Sequence, residues 1–212
     1  MKNKLILCLG VTLLAGCATG SQHYYPPKER LVNTTKTINK NYDTVWADAI
    51  PTLGKQFFVI NNLDKASGLI NLSYSGEAEK YIDCGTATSS VTNARGKRDY
   101  FYVGAAPYTE FEAFSPQMGL AFLQRKISLE GRINLILEKT GTDRTKVTTN
   151  TKYIVTREYK GRMVTGQYFQ PSVDSVSFTN DQKGLFTPNA NGQATTCVSK
   201  GTLEKAILDS IH

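Results

Sequence analysis

The sequence predicts an α+β fold in which an antiparallel, curved sheet packs against two helices. Residues 127–138 and 146–156 alternate between apolar and polar side chains, which is typical of a hairpin with one buried and one solvated face. Apolar residues recur with helical spacing before this hairpin, over residues 45–57, and after it, over residues 203–211. Antiparallel strands bracketed by helices favour an α+β domain over a parallel sheet.

The composition is that of one folded domain. The chain has 212 residues, of which 40% are hydrophobic, and it contains no internal repeat, so extensive disorder is not expected. Its two histidines, His23 and His212, lie near opposite ends, which argues against histidine-based catalysis and histidine-ligated metals. The formal net charge is +7, or +5 without the two lysines of residues 1–16, a mild excess that does not predict nucleic-acid binding.

The amino-terminal residues form the most specific motif. Lys2 and Lys4 precede an apolar run over residues 5–15, which is too short to span a bilayer as a helix and matches an export signal. The run ends in Leu14-Ala15-Gly16-Cys17, which resembles the lipobox of bacterial lipoproteins. The alternative is an ordinary signal peptide that contains a cysteine.

The lipobox resemblance implies a lipid anchor. Residues 1–16 would be removed as a signal peptide, and Cys17 would carry acyl chains on its thiol and on its new amino group. Two or more chains, at about 0.8 kcal/mol per buried methylene, hold a protein stably on a membrane. The next residue is Ala18, which by resemblance to enterobacterial sorting implies delivery to the outer membrane, with the folded part facing the periplasm.

Cysteine usage predicts one disulfide. Cys8 leaves with the signal and Cys17 is acylated, so Cys84 and Cys197 remain in an oxidising compartment. A bridge between them would close a loop of about 114 residues and contribute about 4–5 kcal/mol in the chain-entropy model. Two separate buried thiols are the alternative. There is no C-x-x-C motif and no nearby histidine, so neither a metal site nor a cofactor is expected.

The predicted elements before the hairpin begin with a flexible tether. Residues 17–29 lack apolar periodicity, whereas weak alternation over residues 30–38 indicates a first strand. A helix follows, capped by Asn41 or Asp43, and Pro51 within it predicts a kink or a break. Its apolar face contains Trp46, Ile50, Leu53 and Phe57.

The remaining elements are short strands, an insertion, the hairpin and a closing helix. Residues 57–60 and 69–75 have strand patterns, and residues 76–125 are predicted to form an extended insertion with one or two strands. Residues 173–178 form a last strand, and Thr202 caps the closing helix. The apolar faces of the hairpin contain Ile127, Leu129, Ile133, Leu135 and Leu137 in one strand and Val147, Tyr153 and Val155 in the other.

This order of elements resembles the helix-grip domains of the BamC/NlpB family of outer-membrane assembly lipoproteins. The resemblance rests on apolar motifs in the first helix and the following hairpin, namely Val45-Trp46, residues 57–60 and residues 64–70. It covers residues 30–75 and 126–211, within a single domain over 30–212, where the family has two. It implies the helix-grip fold and protein partners in the cell envelope.

A basic and aromatic segment of the insertion is a candidate surface patch. It comprises Arg95, Lys97, Arg98, Tyr100, Phe101 and Tyr102. Nucleic-acid binders mix such residues, but an exported lipoprotein is not expected to meet nucleic acid. We therefore expect either a solvated loop or a patch that faces a membrane or a protein partner.

The sequence contains no catalytic motif. There is no G-x-S-x-G and no phosphate-binding loop, and the pairs Glu77/Glu79 and Glu110/Glu112 are typical of solvated edges, so an enzyme is not expected. The sequence instead predicts a lipid-anchored, non-catalytic envelope protein that acts as an interaction or assembly module. The alternative is a periplasmic carrier that holds a small ligand or lipid in a cavity between helix and sheet.

Replacing the lipobox cysteine tests the anchor. We expect Cys17→Ser to abolish acylation and to leave an uncleaved or soluble periplasmic protein, because serine offers no thiol for the diacylglycerol. Labelled palmitate incorporation and membrane fractionation measure this outcome. A variant that still incorporates palmitate and stays with the membranes would show that Cys17 is not the lipidation site.

Overall fold

A computed structural model describes residues 18–56, 58–188 and 192–212. It is α+β, as predicted: most of the described chain is antiparallel sheet, with two helices, and the sheets are not closed. The expected signal peptide, Cys17 and Phe57 lie outside the described residues.

The elements have these bounds. The helices are α1 (Tyr42–Gly54) and α2 (Thr202–Ser210), and a short 3₁₀ turn spans Ala78–Lys80. The strands are β1 (Thr19–Tyr25), β2 (Thr35–Ile38), β3 (Val59–Asp64), β4 (Leu69–Gly76), β5 (Ile82–Asp83), β6 (Thr86–Asn93), β7 (Gly96–Val103), β8 (Tyr108–Ser115), β9 (Gly119–Gly141), β10 (Arg144–Met163), β11 (Ser172–Thr179), β12 (Lys183–Leu185) and β13 (Thr196–Ser199).

The main sheet is built around the hairpin of β9 and β10. Its order is β11-β10-β9-β4-β3, with β2 also pairing with β10 and β8 also pairing with β9. The pairing places Tyr153 opposite Gly131 and Val155 opposite Leu129, which confirms the predicted alternation. We call residues 128–155 the turn half of the hairpin, and residues 119–127 with 156–163 the open half.

Both helices pack on the buried face of the turn half. The core there contains Val45, Trp46, Ala49 and Leu53 from α1, Leu203, Ile207 and Leu208 from α2, and Ile133, Leu135, Leu137, Val147 and Val155 from the sheet. Gly131 lies under α2, where a Cβ atom would be 3.3 Å from Leu203 Cδ2. The missing side chain therefore lets α2 approach the sheet closely.

The first helix begins as predicted but is not broken. The Asn41 side chain accepts a hydrogen bond from the Thr44 backbone N–H at 2.9 Å, which confirms one of the two predicted caps. Pro51 lies inside the helix, which continues to Gly54. The break expected at Pro51 is wrong because the proline lies in the last turn, where only one backbone hydrogen bond is lost.

The second helix is capped differently from the prediction. Gly201, at φ +73°, occupies the N-cap position without a side-chain hydrogen bond, and the Thr202 hydroxyl instead donates to the Lys80 carbonyl at 2.7 Å. At the other end, Lys36 Nζ donates to the Leu208 carbonyl at 2.9 Å and the Ile211 carbonyl at 2.7 Å. This places a cation at the negative end of the helix dipole.

The tether predicted over residues 17–29 contains a strand, which corrects that prediction. Strand β1 pairs along its whole length with β6, from Thr19 opposite Thr92 to Tyr25 opposite Thr86. This strand has no apolar alternation that would predict it, because most of its residues are small or polar. Its order comes from backbone pairing and from Tyr24, whose hydroxyl donates to the Thr196 carbonyl at 3.0 Å. The folded part therefore begins by Thr19 rather than at residue 30.

The predicted insertion over residues 76–125 is richer in strands than expected. It contains β5, β6, β7, β8 and the start of β9, and β1-β6-β7 form a second sheet. Small hydroxyl side chains concealed the alternation of β6, in which Ser89 is buried between Ala87 and Val91. Ser89 donates a hydrogen bond to the Glu112 carbonyl of β8, so its burial leaves no hydroxyl unsatisfied.

Cys84 and Cys197 are bonded, as predicted, with their Cα atoms 4.0 Å apart. Cys197 belongs to β13, which pairs with β5 through Val198 opposite Asp83, so the register brings Cys84 beside it. Both cysteines are buried in the core. The bridge therefore ties the insertion to the strand that leads into α2.

The disulfide should contribute measurably to stability. We expect the double variant Cys84→Ala/Cys197→Ala to lower the free energy of unfolding by about 2–5 kcal/mol, because the bond restricts the unfolded chain. Urea unfolding of the oxidised wild type and the variant measures this difference. Wild type unfolded with and without a reductant is the control, since it keeps both side chains, and equal stability in the two conditions would refute a bridge.

Candidate functional site

A cavity of about 550 Å³ lies where the sheet β1-β6-β7 faces the open half of the hairpin. This volume is within the range of pockets that bury small ligands. Its apolar lining includes Ala87, Tyr102, Phe111, Ala113, Phe114, Met118, Ala121, Leu123 and Phe169. None of the lining residues belongs to α1 or α2, so this cavity is not the one predicted between helix and sheet.

The floor of the cavity continues the buried face of the main sheet. Leu123 is paired with Phe111 of β8, and the next pair along the same face is Ala121 with Ala113. Phe111 also stacks on Tyr102 of the second sheet, with ring centroids 4.6 Å apart. Small side chains thus line the cavity where larger ones would fill it, and an aromatic pair joins the two sheets beside them.

Arg157 is the first of two buried arginines at the cavity. It lies directly opposite Asp174 of β11, and its Nε and Nη2 donate to the two carboxylate oxygens at 3.0 and 2.7 Å. Further hydrogen bonds reach the Thr195 hydroxyl and the Thr187 carbonyl, and the guanidinium lies over the Phe186 ring. This bidentate pair compensates the charge of Arg157.

Arg125 is the second buried arginine, and its neighbours are neutral. Its Nη2 donates to the Val103 carbonyl at 2.7 Å and the Thr109 hydroxyl at 3.3 Å. The guanidinium lies 4.8 Å from the centre of the Tyr102 ring, and Tyr159 also hydrogen-bonds to it. Burial lowers the pKa of Arg125 because it removes the cation from water.

Two tyrosines at the cavity, Tyr102 and Tyr24, stay neutral near physiological pH. Burial raises the pKa of Tyr102 to about 12, and it also raises the pKa of Tyr24. Tyr24 bridges the disulfide strands, since its hydroxyl accepts from the Thr196 N–H at 2.9 Å and approaches the Cys84 carbonyl at 3.2 Å. These hydroxyls are therefore hydrogen-bonding groups rather than bases.

The predicted patch is divided between the two faces of β7. Arg98, Tyr100 and Tyr102 lie on one face and Lys97, Asp99 and Phe101 on the other, because side chains alternate along a strand. Arg98 forms an ion pair with the buried Glu112 at 2.6 Å, and Tyr102 lines the cavity. A single surface made of Arg95, Lys97, Arg98, Tyr100, Phe101 and Tyr102 is therefore not formed.

Arg95, Lys97 and Phe101 are the exposed members of that segment. Lys97 pairs with Asp99 at 3.0 Å, and Phe101 is 69% exposed. Arg95 lies in the turn between β6 and β7. Glu112, which the sequence suggested to be a solvated edge residue, is buried because the packing of the two sheets covers it.

Sequence reasoning missed the residues that build the cavity. Arg125 and Arg157 lie on the apolar face of the two longest strands, and a charged residue in that register is a signal that could have been used. His23, placed by the sequence outside any core, lies on β1 at the cavity with its side chain exposed.

Across residues 18–56, 58–188 and 192–212, the structure contains no helix with the length and apolarity needed to cross a membrane. It also brings together no group of three or more potential metal ligands within those ranges. Comparison with known proteins finds no matching family model, no matching curated protein and no matching solved structure.

The Arg157–Asp174 pair can be tested by an isosteric change. We expect Asp174→Asn to lower the free energy of unfolding by about 1–3 kcal/mol, because Arg157 is 8% exposed and would lose its charged partner. Urea unfolding measures the change. The matched control is Asp48→Asn, since Asp48 pairs with Lys40 on the surface, where exposed pairs contribute about 0–1 kcal/mol. Equal effects of the two substitutions would contradict a buried pair.

Proposed function

We propose that this protein is a lipid-anchored, non-catalytic envelope protein whose folded part binds an apolar small molecule or lipid in the cavity. The observation that carries the proposal is the cavity itself, about 550 Å³ in volume, with aromatic and aliphatic walls from both sheets. Most buried regions of proteins are close-packed. A space of this size between well-formed strands therefore favours a ligand site.

The position of β1 supports a site close to the membrane. If Cys17 is acylated, Gln22, which lines the cavity, is five residue positions along the chain from the anchor. A chain of five residues spans about 18 Å at most. In this proposal the cavity therefore lies near the lipid surface, and a ligand could pass between the bilayer and the protein without crossing much water.

The helices have a separate part in this proposal. Their packing on the turn half of the hairpin is consistent with a helix-grip-like arrangement, the fold implied by the BamC/NlpB resemblance. The ligand, however, would lie beyond the helices, against the open half. We assign the helix-covered half to stability and the open half to binding.

The charged groups at the cavity favour binding over catalysis. The carboxylate of Asp174 accepts two hydrogen bonds from Arg157, so both of its oxygens are engaged within the fold. Tyr102 and Tyr24 remain protonated, as their raised pKa values require. Groups held this way can orient a ligand more readily than they can react with it.

An interaction module is the second candidate, and the edge of β7 favours it. In the described chain β7 pairs with β6 alone, so its other edge presents unpaired backbone groups. Phe101 stands beside them with most of its side chain exposed. A protein partner could add a strand along this edge. In vivo crosslinking from position 101 would identify it.

Photolabelling tests the cavity as a ligand site. The acylated full chain in phosphatidylcholine nanodiscs is exposed to hexadecanol carrying a photoreactive diazirine, and the labelled peptides are mapped by mass spectrometry. We expect label on β8 and β9 at the cavity, and we expect Ala121→Phe to reduce it several-fold because the phenyl ring occupies the space beside Ala113.

The control substitution is Ala47→Phe, because Ala47 is exposed on α1, away from the cavity. It should leave the labelling unchanged. Circular dichroism and thermal unfolding verify that both variants are folded. Label spread over exposed residues and insensitive to Ala121→Phe would contradict a binding cavity.

A further inference from the structure

Arg125 is a buried cation without a compensating anion. It is 3% exposed, and arginine is almost never so buried unless it is paired. Its Nε is buried and has no hydrogen-bond partner among the described residues. Its other neighbours are a carbonyl, two hydroxyls and an aromatic ring. An unpaired buried charge costs several kcal/mol, so this arrangement points to an anion that the cavity receives.

The strand register shows why Arg125 differs from Arg157. Arg157 has Asp174 directly across from it, whereas Arg125 lies between Thr109 on β8 and Tyr159 on β10. The two arginines lie on the same face of the sheet, in neighbouring pairs of residues on β9 and β10. The chain therefore supplies a carboxylate to one of them and only neutral oxygens to the other.

The charges lining the cavity leave Arg125 as the uncompensated one. Arg125, Arg157 and Lys160 are the cations of the lining, and Asp174 is its carboxylate. Asp174 is engaged by Arg157, and Lys160 pairs with Glu158 at 2.7 Å. One uncompensated positive charge matches a monoanion, such as a carboxylate, and a planar carboxylate suits the geometry of a guanidinium.

An apolar wall extends from Arg125 along the same face. Leu123 and then Ala121 follow on β9, paired with Phe111 and Ala113. From Arg125 to Ala121 this wall is about 13 Å long at the usual rise of a strand. A charged position at one end of an apolar wall is complementary to an amphipathic molecule with one acidic end.

We propose that the cavity binds a single-chain carboxylic acid, such as a fatty acid, with its carboxylate on Arg125 and its chain along Leu123 and Ala121. This inference rests on the proposed ligand-binding function and specifies the class of ligand. In this proposal Arg125 selects for the acidic headgroup. The apolar wall binds the hydrocarbon chain without selecting for a particular pattern of branches.

The test compares two probes that differ only in their headgroup. Diazirine-bearing palmitic acid and diazirine-bearing hexadecanol are applied separately to the acylated full chain in phosphatidylcholine nanodiscs at neutral pH. We expect the acid to label the cavity peptides at least about tenfold more strongly than the alcohol, the ratio given by one charge-assisted pair. This comparison uses the unmodified protein, so it does not depend on the folding of a variant.

Substitutions then assign the effect to Arg125. Arg125→Met should reduce labelling by the acid about tenfold and abolish the preference for the acid over the alcohol, whereas Arg125→Lys should retain part of the preference. The control is Arg132→Met, because Arg132 lies on the solvated face of the same strand. Its preference for the acid should equal that of the wild type.

The outcomes separate this inference from the proposed function. Equal labelling of the cavity by both probes would overturn the proposal of an acidic ligand and would leave the proposal of a ligand-binding cavity intact. A preference for the acid that survives Arg125→Met in a folded variant would overturn the assignment to Arg125. Absence of cavity labelling by either probe would overturn both proposals.

Discussion

The structure depends on the continuous buried face of the β9–β10 hairpin. Its strands have 23 and 20 residues, so β9 is about 75 Å long at the usual rise of a strand. The helices have 13 and 9 residues, or about 20 and 14 Å. Two such helices cannot cover the whole face. A second layer is required over the open half, and the sheet β1-β6-β7 provides it.

The two layers differ in how completely they fill the space above the hairpin. The helices bury large side chains such as Trp46 and Leu53 against the turn half. Over the open half, Ala87, Ala113 and Ala121 line the cavity, and packed sheets are about 10 Å apart. Small residues at that separation leave unfilled volume, which costs stability. This unfilled volume beside a close-packed core is the feature on which the proposed binding function rests.

The disulfide lies where the two layers meet. The bridge joins Cys84, which directly follows β5, to Cys197 of β13, and the Tyr24 hydroxyl lies within hydrogen-bond distance of the Cys84 and Thr196 carbonyls. Strand β1 otherwise depends on its pairing with β6. The cross-link therefore fixes the boundary between the helix-covered core and the cavity.

The sequence predicted the parts of the fold whose apolar residues follow the regular spacing of a strand or a helix. Apolar residues alternate regularly in the long hairpin, and the face of α1 has helical spacing, so both were found. Strands β1 and β6 were not predicted because Thr, Ser, Gly and Gln occur on both the buried and the exposed faces of strands. Whether such a residue is buried depends on partners that are distant in the chain, as Ser89 depends on the Glu112 carbonyl. The cavity was misplaced for the same reason, since its second wall consists of those strands.

The difference between the two buried arginines can be recognised only when the register of the strands is known. In the sequence, Arg125 and Arg157 interrupt apolar alternation and resemble the ends of buried strands. In the sheet they lie one row apart, at the end of the helix-covered core. Arg157 forms an ion pair with Asp174, so its charge is compensated within the fold. Arg125 is enclosed by neutral groups, and an apolar residue there would avoid the cost of burying its charge. An unpaired guanidinium at the start of an apolar cavity is therefore a costly feature for folding alone, and an acidic ligand gives it a physical reason.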